Sequence, residues 1–234
     1  MASPIRDPKL AGLYPFLAGE RHDAAQLQQG LLESVRQKAG ESVAVKQRFF
    51  LECGEQVVAA ARAIAAVYRQ GGRLYTMGNG GSSCDSSHIA VEFQHPITAG
   101  RPALPARNLA DDCAMLTAVG NDVGFKHVFL RQVIAQVRAG DGLIGVSTSG
   151  NSENLLLAFS AAKQLGAITI GLAGGDGGRM RGHADLDHCL VAPSDSIHRV
   201  QETHVAIYHI LWDLTHTLLA DDRGSAAQSH SGEP

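Results

Sequence analysis

The sequence lacks a long apolar run, a Cys-x-x-Cys pair and a strong excess of either charge. No apolar segment approaches the roughly 20 residues of a membrane-spanning helix, and the N-terminus lacks the apolar stretch of a signal peptide. The four cysteines are widely separated. Scattered cysteines favour reduced thiols over a disulfide framework. We therefore expect a cytoplasmic protein that does not contact membranes.

The charge balance and the composition exclude further classes. With 20 basic and 23 acidic residues the net charge is -3, which argues against a broad nucleic-acid-binding surface. The 234 residues, 44% of them hydrophobic, suffice for a real core in one domain, or two at most. Glycine is in excess, because 26 glycines are about 11% of the chain against an average of about 7%. The positions of these glycines therefore need an explanation.

Short apolar runs alternate with helix-length segments over most of the chain. The five runs are Arg73–Met77, Ala106–Leu109, Leu143–Val146, Ile168–Leu172 and His188–Val191. The helical segments among and after them are Val123–Arg138, Glu153–Leu165 and the amphipathic Val200–Leu219. This alternation predicts an α/β fold in which helices cover both faces of a parallel sheet.

The ends of the chain have a different composition from its middle. Residues 1–22 carry several prolines and glycines and are predicted to be an irregular lead-in. Residues 23–220, which begin with a helix-rich segment to residue 70, are predicted to form a single domain. Residues 221–234 are small and polar, which predicts a disordered tail.

Ligands of open α/β sheets bind beyond the carboxyl ends of the strands, and three of these ends are unusual here. Residues 78–83 form a glycine-rich turn before a helix, which suits an anion, although a merely tight turn explains it as well. Residues 147–152 read STSGNS and place four hydroxyls at the start of a helix. An ordinary helix cap needs only one hydroxyl, so four favour a binding site for a phosphate monoester. Residues 174–178 read GGDGG and indicate a tight loop without assigned chemistry.

Histidine, carboxylate and amide side chains recur at helical spacing. His88 and Glu92 are four residues apart, so both project from one helix face. Gln201 and His209 are eight apart on the last helix, about 80° around its axis. Such a set can bind zinc, but His/Glu pairs on helices are also common without a metal. Spacing alone leaves both interpretations open.

Five motifs follow one another in the order found in a known family. They are GNGGSSCDSSHIAVE (78–92), VGNDVGF (119–125), STSGNS (147–152), GGDGGRM (174–180) and RVQETHVAIYHI (199–210). Together they resemble the phosphoheptose isomerases, the sedoheptulose-7-phosphate isomerase branch of the sugar isomerase (SIS) domain family. The resemblance implies a doubly wound, flavodoxin-like sheet of five parallel strands with an N-terminal helical extension. It also implies a homotetramer with active sites at subunit interfaces.

The resemblance further implies a role for each candidate residue. Glu92 and His209 would be the acid–base pair, and zinc would be held by His88, Glu92, Gln201 and His209. The implied substrate-binding residues are Asn79, Gly80, Ser82, Asp122, Ser147, Thr148, Ser149, Ser152 and Gln201.

The activity that the resemblance implies is an aldose–ketose isomerisation. Sedoheptulose 7-phosphate would become D-glycero-D-manno-heptose 7-phosphate, a precursor of lipopolysaccharide heptose, through an enediol. A carboxylate and a histidine suit this chemistry because burial and neighbours can tune their pKa values towards neutrality. Glu92 is favoured as the carbon base and His209 as the proton shuttle to oxygen, although the exchanged roles stay open. Zinc would either polarise the carbonyl or order the site.

Two departures from the family pattern affect the substrate side. Phe93-Gln94-His95-Pro96 replaces a segment that usually contains Gly-Arg, which leaves Arg101 as the nearest substitute, and His198 stands where an Asp is usual. One alternative is therefore a divergent paralogue for another phosphosugar. Another is a non-catalytic SIS scaffold or sensor, such as a protein that binds the replication initiator DnaA. The presence of Glu92, Gln201 and His209 favours catalysis.

Overall fold

The computed structural model describes residues 24–98 and 100–230. The chain divides into two compact units, residues 1–40 and residues 41–234. The predicted lead-in, residues 1–22, lies outside the described residues, so its irregular structure stays a prediction. Among the described residues no helix has both the length and the apolar character needed to cross a membrane.

The described elements alternate as the sequence predicted. The strands are β1 (Leu74–Gly78), β2 (Ala106–Asn108), β3 (Gly142–Ser147), β4 (Ile168–Gly174) and β5 (His188–Ala192). The α-helices are α1 (Ala24–Arg69), α2 (Gly81–Gln94), α3 (Cys113–Asp122), α4 (Val128–Gln136), α5 (Glu153–Gln164) and α6 (Ile197–His230). Two 3₁₀ turns lie at Phe125–His127 and Gly178–Met180.

Two predicted helices differ from the observed ones at their ends. The segment predicted as one helix from Val123 begins instead with a 3₁₀ turn, because Gly124 has a positive φ of 98° that interrupts an α-helix. Helix α6 extends beyond the predicted Leu219 to His230, into the segment predicted to be a disordered tail. The boundary of the domain at residue 220 stays a prediction.

All five strands are parallel and lie in the order β2-β1-β3-β4-β5. The register pairs Gly78 with Val146 and Ser147 with Ala173, so β1, β3 and β4 end at the same edge. In this strand order the chain direction across the sheet reverses between β1 and β3, which is where flavodoxin-like folds bind ligands. The loops after these two strands carry the predicted glycine-rich and hydroxyl-rich motifs.

Helices bury both faces of the sheet, as predicted for a doubly wound fold. On one face α2 and α6 pack against the strands through Ile89, Phe93 and Ile207. On the other face α4 and α5 pack through Phe129 and Phe159. Because successive strand residues point to opposite faces, nearly every residue of β1, β3 and β4 is buried.

His204 is a fully buried histidine on α6. Its Nε2 lies 2.9 Å from the carbonyl oxygen of Ala173, to which the neutral ring donates a hydrogen bond. Nδ1 is buried and finds no hydrogen-bond partner among the described residues. A second proton would therefore place an unsatisfied N–H in the core, and burial lowers the pKa of His204 to about 4.

We expect His204 to make the fold less stable in mild acid. Its folded pKa lies below the unfolded value of 6.5, so its contribution is complete above pH 6.5 and is lost as the pH falls towards 4. Between about pH 7.5 and about pH 5 the loss is about 2 kcal/mol. His204→Gln keeps an N–H donor but does not titrate, so its unfolding free energy should change less with pH. Urea unfolding of both proteins at the two pH values checks this, and equal pH dependence would refute it.

Candidate active site

The loop after β1 is tied to helix α5 by a pair of amides. Asn79 and Asn154 exchange two hydrogen bonds, each amide nitrogen lying 2.9 Å from the other residue's oxygen. Asn154 is buried and lies in the first turn of α5. The pair joins the loop after β1 to the start of α5 at the reversal point of the sheet. The predicted binding residues Gly80 and Ser82 lie beside Asn79, at the start of α2.

The hydroxyl-rich loop after β3 leads into helix α5. The Ser147 and Ser152 hydroxyl oxygens lie 3.0 Å apart. Ser152 is the N-cap residue of α5, yet its side chain makes no capping hydrogen bond. The ordinary helix cap considered as an alternative therefore does not account for this hydroxyl. Thr148 and Ser149 complete the loop and line a cavity of about 430 Å³.

The GGDGG loop, to which the sequence assigned no chemistry, packs against the hydroxyl-rich loop, and Gly174, Gly175 and Asp176 line the same cavity as Thr148 and Ser149. The backbone N–H of Met180 donates to the carbonyl oxygen of Gly150 at 2.9 Å. Gly150 has a φ of +65°, and a Cβ on it would lie 2.0 Å from the carbonyl oxygen of Gly177. Only glycine therefore fits at this close approach.

Helices α2 and α6 bring three ionisable side chains together. One ligand atom from each of His88, Glu92 and His209 lies within 4.8 Å of the other two. His88 Nε2 lies 3.0 Å from Glu92 Oε1, and the rings of His88 and His209 lie 5.1 Å apart. Two imidazoles and a carboxylate are a donor set that fits zinc with an open coordination position. The same set suits proton transfer.

The surroundings of His209 favour its neutral imidazole. Burial lowers the pKa of His209, and His88 lowers it further, while Glu92 acts in the opposite direction. The imidazole is therefore neutral at neutral pH. Burial raises the pKa of Asp85, one helical turn before His88, to about 6, although His88 opposes this.

Three neighbours of the cluster were missed by the sequence interpretation. The Tyr208 hydroxyl lies 2.9 Å from His88 Nδ1. Trp212 Nε1 donates to the backbone oxygen of Glu92 at 2.8 Å. Asp85 is buried, and its Oδ2 has no hydrogen-bond partner within the described ranges. Helical spacing could have indicated Asp85, three residues before His88, and Trp212, three residues after His209. No such spacing indicates Tyr208.

Two other predicted site residues, Gln201 and Asp122, make no hydrogen bond or ion pair with this cluster among the described residues. The Gln201 amide nitrogen would lie 2.4 Å from a Cβ on Gly81, so glycine there lets Gln201 approach the start of α2. Asp122 is exposed at the end of α3 and accepts a hydrogen bond from Asn121. No contact places Asp122 at the hydroxyl-rich loop within the described residues.

The structure also places Arg101 and His198, the two residues linked to the departures from the family pattern. Arg101 forms an ion pair with Asp213, and its guanidinium lies 4.3 Å from the centre of the Trp212 ring. Arg101 is therefore linked through Trp212 to Glu92. His198 is exposed in the first turn of α6.

The fold agrees with the comparisons to known proteins. The SIS domain model matches residues 39–174. The chain is therefore an SIS-domain protein, and its five-stranded parallel sheet is the sheet of an SIS domain.

Similar proteins narrow the class further. The chain is 44% identical to a phosphoheptose isomerase of Solidesulfovibrio magneticus over 74% of this chain and 84% of that protein. It is 41% identical to one of Desulfovibrio desulfuricans over 84% of this chain and 92% of that protein. The structure of phosphoheptose isomerase GmhA from Neisseria gonorrhoeae matches with a TM-score of 0.75 at 38% identity, covering 80% of this chain and 99% of that one. The chain belongs to the phosphoheptose isomerase branch of the SIS family.

Proposed function

We propose that the chain is an isomerase that converts sedoheptulose 7-phosphate to D-glycero-D-manno-heptose 7-phosphate. The observation that carries this proposal is the close approach of Glu92 and His209, with atoms of both within 4.8 Å of each other and of His88. A scaffold or sensor has no need for such a pair. The family of its relatives supports the same activity.

The substrate phosphate binds at the hydroxyl-rich loop. Ser147, Thr148, Ser149 and Ser152 donate hydrogen bonds to its oxygens, and the start of α5 favours its negative charge. Asn79, Gly80 and Ser82 line the sugar side. This recognition uses neutral donors, so the net charge of -3 does not oppose anion binding.

The reaction moves one proton between neighbouring carbons. Glu92 removes a proton from C1 of the ketose as the C2 oxygen gains negative charge, and the neutral His209 relays the proton of the C1 hydroxyl to that oxygen in the enediol intermediate. C1 then becomes a carbonyl as the protonated Glu92 returns its proton to C2. The neutral form of His209 and the carboxylate of Glu92 suit these transfers.

The metal of the proposed site is zinc. His88, Glu92 and His209 would hold it, and Gln201 would supply a fourth ligand after its amide turns from Gly81. Zinc, when bound, would polarise the substrate carbonyl or order the site.

The assembly proposed is a homotetramer with active sites at subunit interfaces. Support comes from apolar side chains left exposed on α1, where Leu51 is 86% exposed, and from the exposed position of Asp122, which is available to contact the substrate in a neighbouring copy. We also propose a cytoplasmic location, supported by four free cysteines, and a role in lipopolysaccharide heptose synthesis.

A substrate panel tests the proposed function. We expect purified protein to convert sedoheptulose 7-phosphate to the aldose, and to lose turnover when sedoheptulose without phosphate is supplied. Product can be followed by NMR. Bound but unconverted sedoheptulose 7-phosphate would reject the proposal, and turnover of fructose 6-phosphate in its place would indicate a divergent paralogue.

A further inference from the structure

Tyr208 is a buried residue of α6 that contacts two members of the His88–Glu92–His209 cluster. Only 3% of it is exposed. Its ring packs edge-on against His88, with centroids 5.4 Å apart, and against His209, with centroids 4.9 Å apart. Its hydroxyl lies 2.9 Å from His88 Nδ1. The side chain therefore limits how either imidazole can rotate.

The hydrogen-bond partners of His88 favour one tautomer of its neutral ring beside a carboxylate. Nε2 lies 3.0 Å from Glu92 Oε1, and an ionised carboxylate only accepts, so Nε2 carries the proton. In the neutral ring Nδ1 is then the acceptor, and the Tyr208 hydroxyl donates to it.

Metal binding requires the other tautomer. Nε2 is the ring nitrogen that faces Glu92, so it is the one positioned to bind a metal shared with the carboxylate, and its lone pair must then be free. The remaining ring proton moves to Nδ1, where the Tyr208 oxygen can accept it. A hydroxyl serves both states because it can donate or accept, whereas a carboxylate in its place could only accept.

We propose that Tyr208 is a positioning residue for zinc, whose hydroxyl holds the His88 ring in place and reverses its hydrogen-bond role when the metal binds. This inference rests on the proposed metal site and deepens it. Partners of this kind, which bond the far nitrogen of a metal-binding histidine, commonly contribute about 10- to 100-fold to metal affinity.

Tyr208→Phe tests the inference, because it removes the hydroxyl and keeps the ring. We expect the dissociation constant for zinc of metal-stripped protein to rise about 10-fold, measured by competition with a chromophoric chelator. Thr215→Val is the matched control, since it removes another buried hydroxyl of α6, which donates to the Leu211 carbonyl. The control should bind zinc as the wild type does.

Nitrogen NMR of the wild-type protein provides a second readout that needs no variant at position 208. The ring proton of His88 should be on Nε2 without zinc and on Nδ1 with zinc, with His88→Ala used to assign the signals. An unchanged tautomer, or zinc affinity equal in Tyr208→Phe and wild type, would overturn the inference. Absence of zinc binding by wild type would overturn it as well.

These results separate the inference from the proposed function. Tyr208-dependent zinc affinity in a protein without isomerase turnover would reject the function and keep the inference. Isomerase turnover together with a zinc affinity that Tyr208→Phe does not change would keep the function and reject the inference.

Discussion

Glu92→Gln is expected to lower kcat by about 10²- to 10⁴-fold, the range typical for removal of a general base. The amide keeps the shape of the carboxylate, and its oxygen can still accept the hydrogen bond from His88 Nε2. It loses the ability to take the proton from C1, and it replaces the charged carboxylate that would help to hold zinc with a neutral amide. The serine and threonine hydroxyls of the hydroxyl-rich loop, where the phosphate is proposed to bind, are untouched, so the dissociation constant for the phosphosugar should stay near that of the wild type. Steady-state kinetics and calorimetric binding measure the two effects.

The matched control for this prediction is Glu55→Gln. It makes the same change of charge at an exposed position of α1. We expect turnover close to that of the wild type. If Glu92→Gln kept the kcat of the wild type, a different residue would have to be the carbon base.

Gly150→Ala is expected to abolish effective phosphate binding. A residue with a side chain is strained at a φ of +65°, and the new Cβ would lie 2.0 Å from the backbone oxygen of Gly177. The loop must move, so Ser147, Thr148 and Ser149 no longer converge on the phosphate. Loss of two charge-assisted hydrogen bonds would raise KM by about 100-fold or more.

Gly71→Ala is the control that separates the two effects of Gly150→Ala, the backbone strain at positive φ and the clash of the new Cβ with Gly177. Gly71 has a similar φ of +75°, but a Cβ there meets nothing within 4 Å, and it lies in the turn that precedes β1. We expect this control to lower thermal stability slightly and to leave KM unchanged. Equal KM values in Gly150→Ala and wild type would show that the phosphate binds elsewhere.

Much of the fold was predictable because its signals are local. Each strand is a short apolar run closed by glycine or polar residues, and burial on both faces explains why these runs are continuous. The positions of the hydroxyl-rich loop and of the first glycine-rich turn follow from the rule that strand ends carry ligand sites. The spacing of His88 and Glu92 placed both side chains on one face of α2, as the structure has them.

The rest of the site depends on contacts between distant segments. The Asn79–Asn154 amide pair joins residues 75 positions apart, and neither stands out in its own segment. Tyr208 reaches His88 across 120 positions. The sequence assigned no ligand chemistry to the GGDGG loop, and the effect of this loop on Gly150 appears only once β3 and β4 lie side by side. Local sequence patterns do not carry this information.

Part of the glycine excess is explained by positions where another segment comes too close for a side chain. Gly81 admits the Gln201 side chain, and Gly150 admits the backbone of the neighbouring loop. Arg101, the suggested substitute for the missing family arginine, is held by Asp213 and Trp212 in this structure. The segment proposed to contact the substrate therefore differs from the family pattern, whereas Glu92 and His209, the proposed acid–base pair, match it.

Isomerisation of sedoheptulose 7-phosphate in D₂O tests the central claim most directly. If Glu92 and His209 transfer protons through an enediol, deuterium from the solvent should appear on C2 of the aldose product, as seen by NMR and mass spectrometry. The same exchange should be lost in Glu92→Gln. Even partial exchange at Glu92 accumulates over many reversible turnovers, so an aldose that still lacks deuterium on C2 after prolonged incubation at equilibrium would indicate a direct hydride shift and contradict the account.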